Sequence, residues 1–139
     1  MKVSRVVDGD TIELMDHRLV RYLGIDTPEV RRRRGTRLIS DPEPFGAAAA
    51  DANRHLVEGR RVQLEYDVQT HDRFGRLLAY VYVNGRMVNE ELLRLGMAQP
   101  LTIPPNVKYA DRFRAVAAGA RQARRGLWSA PGIGDERGR

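Results

Sequence analysis

Three short apolar segments near the amino terminus, separated by tight turns, constrain the fold more than any other feature of this sequence. Residues 3–7 are rich in valine and lead into an Asp8-Gly9 turn, and residues 12–14 follow it. Residues 19–25 form a third segment rich in Val, Tyr, Leu and Ile. Segments of this length and composition are typical of strands. We therefore expect a hairpin followed by a third strand.

The remainder of the chain predicts more strands and about three helices. Residues 62–66 alternate apolar and polar side chains, residues 77–83 are almost continuously apolar, and Asn84-Gly85 is a strong hairpin signal. The predicted helices cover residues 47–57, residues 90–95 with Asn89 as the cap, and a last segment that Asn106 opens.

The last helix is predicted to place one apolar face on the core, with Trp128 packed where the helix ends. That face comprises Tyr109, Phe113, Val116, Ala117 and Ala120. Residues 30–44, with four consecutive arginines and two prolines, predict a long loop. By themselves these patterns support an α+β protein with a small antiparallel sheet or barrel.

The length of 139 residues suits one domain. We assign residues 1–129 to it and expect a flexible tail over residues 130–139, which include three glycines. The chain has no cysteine, which excludes disulfides and zinc fingers. No apolar run is long enough to span a membrane, and no signal peptide is visible. Cytoplasmic location and secretion after loss of a leader both stay open.

The net charge of +6 favours polyanions such as nucleic acid, although a basic surface can also be merely solvated. Two loops near the amino terminus sharpen this expectation. They carry Asp10, Arg21, Asp26 and Glu29, and a later glycine turn carries Arg76. Carboxylates bind hard cations such as Ca²⁺, and arginine binds phosphate through two parallel hydrogen bonds. Together these residue types indicate phosphodiester chemistry.

Each of these residues also has a plain structural interpretation. Asp8 and Asp10 flank a glycine, and aspartate is common in turns. Asp26 could simply end a strand before Pro28. Arg21 could be exposed on an edge strand, although an arginine within so apolar a run suggests a partner.

Five motifs in one order carry a resemblance to a known family. They are Val7-Asp8-Gly9-Asp10-Thr11, Arg21 with Ile25-Asp26-Thr27-Pro28-Glu29, Arg73-Phe74-Gly75-Arg76, the strand Leu78-Ala79-Tyr80-Val81-Tyr82, and Met87-Val88-Asn89-Glu90. Gly126-Leu127-Trp128-Ser129 adds a matching ending. The chain resembles the staphylococcal nuclease family over roughly residues 3–129.

The resemblance implies an OB-fold, a five-stranded Greek-key barrel with about three helices. It also implies Ca²⁺-dependent hydrolysis of DNA and RNA that leaves 3′-phosphate ends. The matching metal ligands would be Asp10, Asp26 and the Thr27 carbonyl. Glu29 would contact the attacking water. Arg21 and Arg76 would act as electrostatic clamps on the phosphate, since arginine stays charged.

Further contacts to nucleic acid are expected outside this centre. They involve Arg73, the ring of Phe74 and the run Arg31, Arg32, Arg33 and Arg34. The arginine run could equally be a solvated loop. The expected partners are DNA and RNA, with single strands preferred, and the chain is expected to act as a monomer. One region departs from the family: residues 99–103 carry no ring where well-known members have two tyrosines that flank the base.

A rival hypothesis is a non-catalytic nucleic-acid-binding OB-fold module. Nuclease-fold domains that only bind have lost acidic and arginine residues. Here all five positions are filled, namely Asp10, Arg21, Asp26, Glu29 and Arg76. This favours the enzyme.

Overall fold

A computed structural model describes residues 1–29, 32–34, 37–39 and 44–129 of the chain. The predicted tail over residues 130–139 lies outside the described residues. The strands are β1 (Val3–Asp8), β2 (Thr11–Leu14), β3 (Leu19–Tyr22), β4 (Ile25–Asp26), β5 (Arg32–Arg34), β6 (Arg37–Ile39), β7 (Gln63–Glu65), β8 (Leu77–Val83), β9 (Arg86–Met87) and β10 (Gln99–Pro100). The helices are α1 (Gly46–Val57), α2 (Val88–Arg94) and α3 (Ala110–Gln122), followed by a short 3₁₀ helix, Gly126–Ser129.

Hydrogen bonds between the start of the chain and the residues just before β7 close the main sheet into a barrel. The strand order is β1-β2-β3-β8-β7, with β3 and β8 parallel and the other neighbours antiparallel. The Val3 N–H donates to the Arg60 carbonyl at 2.9 Å, and the Val62 N–H donates to the Met1 carbonyl at 2.8 Å. Within the described residues, these five strands form the predicted barrel, and the α+β class is confirmed.

The third predicted strand is interrupted at Gly24, so that residues 19–25 form β3 and the start of β4. Gly24 has φ of 79°, and a Cβ there would lie 2.5 Å from the ring of Phe113. Only glycine fits this conformation and this close approach. After the break, β4 leaves the barrel and pairs with β10, with Asp26 opposite Gln99. The break therefore turns the Asp26 segment out of the barrel wall.

The last helix, α3, packs its predicted apolar face against the barrel. Phe113, Ala117 and Ala120 of α3 are buried, and the Phe113 ring meets Tyr80 of β8 edge-on at 6.0 Å between centroids. Trp128 packs against Ala120 near the end of α3, as expected. In the part of the chain that the structure describes, no helix has both the length and the apolar character needed to cross a membrane.

Two asparagines predicted to start helices instead bond to distant segments. Asn89 lies inside α2, where its amide oxygen accepts the Val81 N–H at 2.9 Å and its amide nitrogen donates to the Leu23 carbonyl at 2.8 Å. Asn106 lies four residues before α3 and exchanges two bonds with the backbone of Gln69. An asparagine side chain can donate and accept at once, so it imitates a strand partner.

The arginine-rich segment predicted to be a loop contains a two-stranded ladder. β5 and β6 pair antiparallel, with Arg32 opposite Ile39 and Arg34 opposite Arg37. Such a ladder is made by backbone groups and does not require alternating apolar side chains, which is why the sequence pattern missed it. Apart from residue 44, the other residues of the predicted loop, including Arg31, lie outside the described residues.

We predict that Asn89→Ala destabilises the domain by about 1–3 kcal/mol, because it leaves the Val81 N–H and the Leu23 carbonyl buried without a partner. Urea denaturation followed by circular dichroism would measure the change. Gln122→Ala is the control, since it removes an exposed amide from α3 and is expected to change stability by less than about 0.5 kcal/mol. Equal midpoints for the two variants would show that Asn89 does not hold α2 to the barrel.

Candidate active site

The turn between β1 and β2 places a nearly buried carboxylate at the end of the barrel. Asp10 is 6% exposed. One of its oxygens accepts the Thr27 N–H at 3.1 Å, and the other accepts the Thr11 hydroxyl at 3.0 Å. These bonds join the β1–β2 turn to the segment after β4 and fix the orientation of the carboxylate.

A single guanidinium joins this carboxylate to a second one. Nη2 of Arg21 lies 3.3 Å from Asp10 Oδ2 and 3.4 Å from Asp26 Oδ1. Nη1 donates to the carbonyls of Tyr22 at 2.7 Å and Ile25 at 3.0 Å. The Arg21 side chain is only 17% exposed, whereas that of Asp26 is 61% exposed. The structure therefore brings Asp10, Arg21 and Asp26 together, with Asp26 on the solvent side.

Gly9 allows the turn to pack closely against the segment that carries Asp26 and Thr27. A Cβ at Gly9 would lie 2.7 Å from Thr27 Oγ1 and 2.8 Å from the Cβ of Ala49 in α1. Thr27 is 4% exposed, and its hydroxyl has no hydrogen-bond partner among the described residues. Thr27 is thus held by packing and by its backbone bond to Asp10.

Glu29 lies beyond Pro28, three residues after Asp26, and is exposed. Asp26 is exposed as well. The arginine run follows directly, with Arg32, Arg33 and Arg34 forming β5.

A cavity of about 270 Å³ adjoins the Arg21 guanidinium. Both predicted phosphate-binding arginines line it, because Arg21 lies opposite Leu78 of β8, two residues after Arg76. Among the groups that share the cavity wall are Leu78, Leu101 and Ile103. With Asp72 also in its lining, the cavity combines two arginines and one carboxylate with apolar walls.

Asp72 positions Arg76. The sequence analysis assigned Asp72 no role, although an aspartate at the start of a glycine turn commonly bonds to the backbone of that turn. Its carboxylate accepts Arg76 Nε at 2.7 Å and the backbone N–H groups of Phe74 and Arg76 at 2.9 and 3.0 Å. Burial raises the pKa of Asp72, but these bonds outweigh burial and hold the pKa below its ordinary value. Asp72 is therefore a stable anionic anchor for the turn.

The same turn exposes an aromatic ring beside two arginines. Phe74 is 70% exposed. The guanidinium of Arg73 lies 4.9 Å from the ring centroid, and that of Arg76 lies 5.8 Å from it. An exposed ring flanked by cations is suited to stacking on a base while the arginines meet phosphate.

The segment that departs from the family lies next to the site. Gln99 is paired with Asp26, and Leu101 and Ile103 line the cavity. Leu101 is 38% exposed and Ile103 is 61% exposed. The sequence predicted that this segment lacks the stacking rings of the family. In the structure, aliphatic side chains line the cavity at this position.

The donors at the site fit a hard cation. Asp10 and Asp26 supply carboxylates and Thr27 supplies a carbonyl, with no histidine or cysteine to favour zinc. The described residues contain no group of three or more His, Cys, Asp or Glu side chains that could hold a metal ion. A Ca²⁺ ion, which takes roughly 6–8 oxygen ligands, would therefore need water or substrate oxygens as well. Two carboxylates against one guanidinium leave a negative charge that favours such an ion.

Comparison with known proteins gives a consistent result. A family model described as "Staphylococcal nuclease homologue" matches residues 19–130. Endonuclease YncB of Bacillus subtilis (strain 168) is 39% identical over 98% of this chain and 64% of its own length. The SPbeta prophage-derived endonuclease YokF of the same organism is 40% identical over 98% of this chain and 46% of its own length.

The thermonuclease of Staphylococcus hyicus is 36% identical over 92% of this chain and 75% of its own length. The chain thus spans less than two thirds of the two Bacillus relatives and three quarters of the staphylococcal one. With the family model covering most of the barrel and the helices that follow, the chain belongs to the staphylococcal nuclease family.

Proposed function

We propose that this chain is a Ca²⁺-dependent nuclease that hydrolyses phosphodiester bonds in DNA and RNA. The observation that carries the proposal is the Arg21 guanidinium, which bonds to the Asp10 and Asp26 carboxylates and lines a cavity shared with Arg76. A cation site and an anion site meet there. Relatives named endonuclease and thermonuclease add support.

Asp10, Asp26 and the Thr27 carbonyl would hold the ion. When bound, Ca²⁺ would supply positive charge to a phosphate oxygen and so act as a Lewis acid. The chain prepares for this in two ways. Asp10 is fixed by two hydrogen bonds, and Thr27 is held by packing against Gly9. Neither group needs to reorganise when substrate binds.

Arg21 and Arg76 would neutralise the charge that builds on the phosphate oxygens during attack. Arginine acts as a charged hydrogen-bond donor, so their role is electrostatic and does not involve proton donation. The apolar neighbours Leu78 and Leu101 lower the local dielectric constant, which strengthens the interaction of these cations with phosphate.

Glu29 would orient or deprotonate the attacking water. Its exposed position beyond Pro28 suits a group that meets solvent water rather than the ion itself. With attack in line and departure of the 5′ oxygen, the products carry 3′-phosphate ends.

The turn residues Arg73 and Phe74 and the run Arg31, Arg32, Arg33 and Arg34 would contact the nucleic acid outside the reacting phosphate. Stacking on Phe74 requires an unpaired base, so single strands are the preferred substrate. The chain would act as a monomer. The rival function, a module that binds nucleic acid without cleaving it, would show binding with no products.

We predict that cleavage of denatured DNA requires Ca²⁺, stops when a chelator is added and resumes with excess Ca²⁺. Asp26→Asn should raise the Ca²⁺ concentration for half-maximal rate, because a charged ligand is lost. Asp111→Asn is the matched control, since Asp111 is an exposed carboxylate on α3. Full cleavage in excess chelator would contradict the metal assignment.

We predict that Glu29→Gln lowers kcat by on the order of 100-fold, because the water loses its base and its orientation. The Ca²⁺ concentration for half-maximal rate should stay the same, since Glu29 is not assigned as a ligand. Glu58→Gln, an exposed carboxylate after α1, provides the control. If Glu29→Gln turned over like the control, another group would have to activate the water.

We predict that Arg21→Ala and Arg76→Ala each lower kcat by roughly 10²–10³-fold, the usual loss for a preorganised charge donor. Arg21→Ala should also lower thermal stability more than Arg76→Ala, because Asp10 is nearly buried and would lose its ion pair. Arg114→Ala, which removes an exposed arginine on α3, controls for net charge. Circular dichroism checks folding, and unchanged kcat in either variant would exclude that arginine from catalysis.

A further inference from the structure

A buried hydrogen-bonded bridge connects α1 to the end of β1, which leads into the turn that carries Asp10, and to β3, which carries Arg21. The Tyr22 hydroxyl donates to Asn53 Oδ1 at 2.6 Å, and Asn53 Nδ2 donates to the Asp8 carbonyl at 3.0 Å. Tyr22 is 1% exposed and Asn53 is 0% exposed. Buried polar groups are costly unless they are bonded, so each partner restricts the other to this arrangement.

The bridge ends on residues that touch the site through the backbone. Tyr22 directly follows Arg21, its N–H donates to the Asp10 carbonyl at 2.8 Å, and its own carbonyl accepts Arg21 Nη1 at 2.7 Å. Asp8 is the last residue of β1, two residues before Asp10. Asn53 therefore bonds to the side chain of Tyr22 and to the backbone of Asp8, but not to Asp10 or Arg21 themselves.

A second contact of α1 acts on the same turn. Ala49 lies one helical turn before Asn53, on the same face. Its Cβ packs where Gly9 lacks a side chain, next to Thr27. Helix α1 thus packs against the turn at Gly9 and bonds to Asp8, where the turn begins.

The direction of the bridge is defined by the Asp8 carbonyl, which can only accept a hydrogen bond. Asn53 therefore directs its amide nitrogen to Asp8, and its Oδ1 accepts the hydrogen bond of the Tyr22 hydroxyl.

We propose that Asn53 is a positioning residue, whose bridge from the Tyr22 hydroxyl to the Asp8 carbonyl sets the spacing between Asp10 and Arg21. Through that spacing it aligns the cation ligands with the phosphate clamp. The kinetic part of this inference rests on the proposed nuclease function, whereas the spacing itself is a property of the metal-free protein.

The competing explanation is that the bridge only stabilises the fold. Asn89 offers a matched control, because it is also 0% exposed and also joins a helix to the barrel by two amide bonds. Its partners are Val81 and Leu23, and although Leu23 lines the cavity, neither partner is a proposed cation ligand or phosphate clamp, and Asp8 is not among them. Asn53→Ala, Tyr22→Phe and Asn89→Ala therefore separate loss of stability from loss of alignment.

The kinetic test measures initial rates on denatured DNA with Ca²⁺, at a temperature where circular dichroism shows every variant to be folded. We expect Asn53→Ala and Tyr22→Phe to lower kcat by about tenfold or more, with KM changed less, since small displacements of reacting groups are costly. Asn89→Ala should keep kcat within about twofold of wild type although its Tm falls. Wild-type kcat in both Asn53→Ala and Tyr22→Phe would overturn the proposal, as would an equal loss in Asn89→Ala.

A second readout requires no activity. The guanidinium N–H signals of Arg21 can be followed by NMR in the metal-free protein, where Arg21 bonds to two carbonyls and two carboxylates. They should shift in Asn53→Ala and Tyr22→Phe and remain in place in Asn89→Ala. Unchanged signals in the first two variants would refute the positioning role.

The two readouts distinguish the possible failures. If the wild-type chain does not cleave DNA, the proposed function fails, and the NMR comparison still decides the role of Asn53. If Asn53→Ala does not fold, Tyr22→Phe decides alone, because it removes one oxygen atom and keeps the ring.

Discussion

The guanidinium of Arg21 holds together the parts of the barrel from which the site is made. It bonds to two carboxylates and two carbonyls that belong to the β1–β2 turn, to the end of β3 and to β4. Asp10 is nearly buried, and a buried carboxylate without a cation would be strongly destabilising. The strands can meet in this geometry because the positive charge of Arg21 offsets the negative charges of Asp10 and Asp26.

The two arginines of the cavity are held in different ways. Arg21 is bonded on both terminal nitrogens, whereas Arg76 bonds to Asp72 through Nε. Asp72 is itself fixed by backbone N–H groups of its own turn. Arg21 is thus part of the barrel framework, and Arg76 is carried on a short loop braced by a local anchor. This difference explains why the two residues are expected to differ in their effect on stability.

Local patterns in the sequence predicted much of this architecture. The apolar run of β8 was placed at residues 77–83 as observed, and the start of α1 was placed within one residue. Asp10, Arg21 and Asp26 were expected at one site from their motifs, and the structure brings them together. The patterns failed where a side chain bonds across the fold. Asn89, whose partner Leu23 lies 66 residues away, was taken for a helix cap.

The same limit applies to the break in the third strand. Gly24 could have been an interior strand residue, and its special conformation depends on the ring of Phe113, which α3 brings from far along the chain. The bridge through Asn53 was likewise invisible, because alanine-rich helices give no local reason to expect a bonded asparagine. Long-range hydrogen bonds and close packing are properties of the assembled fold, so a single sequence reveals them only when they leave a motif.

The aliphatic wall of the cavity has a consequence for how the proposed enzyme would divide its binding energy. A ring stacked on a base interacts with it equally before and during the reaction, so its loss weakens ground-state and transition-state binding alike. Leu101 and Ile103 lack that interaction but keep apolar a wall of the cavity that Arg21 also lines. The electrostatic stabilisation of the reacting phosphate is thereby retained. On the proposed function, the absence of the rings raises KM. It does not change kcat, which depends on the arginines and carboxylates.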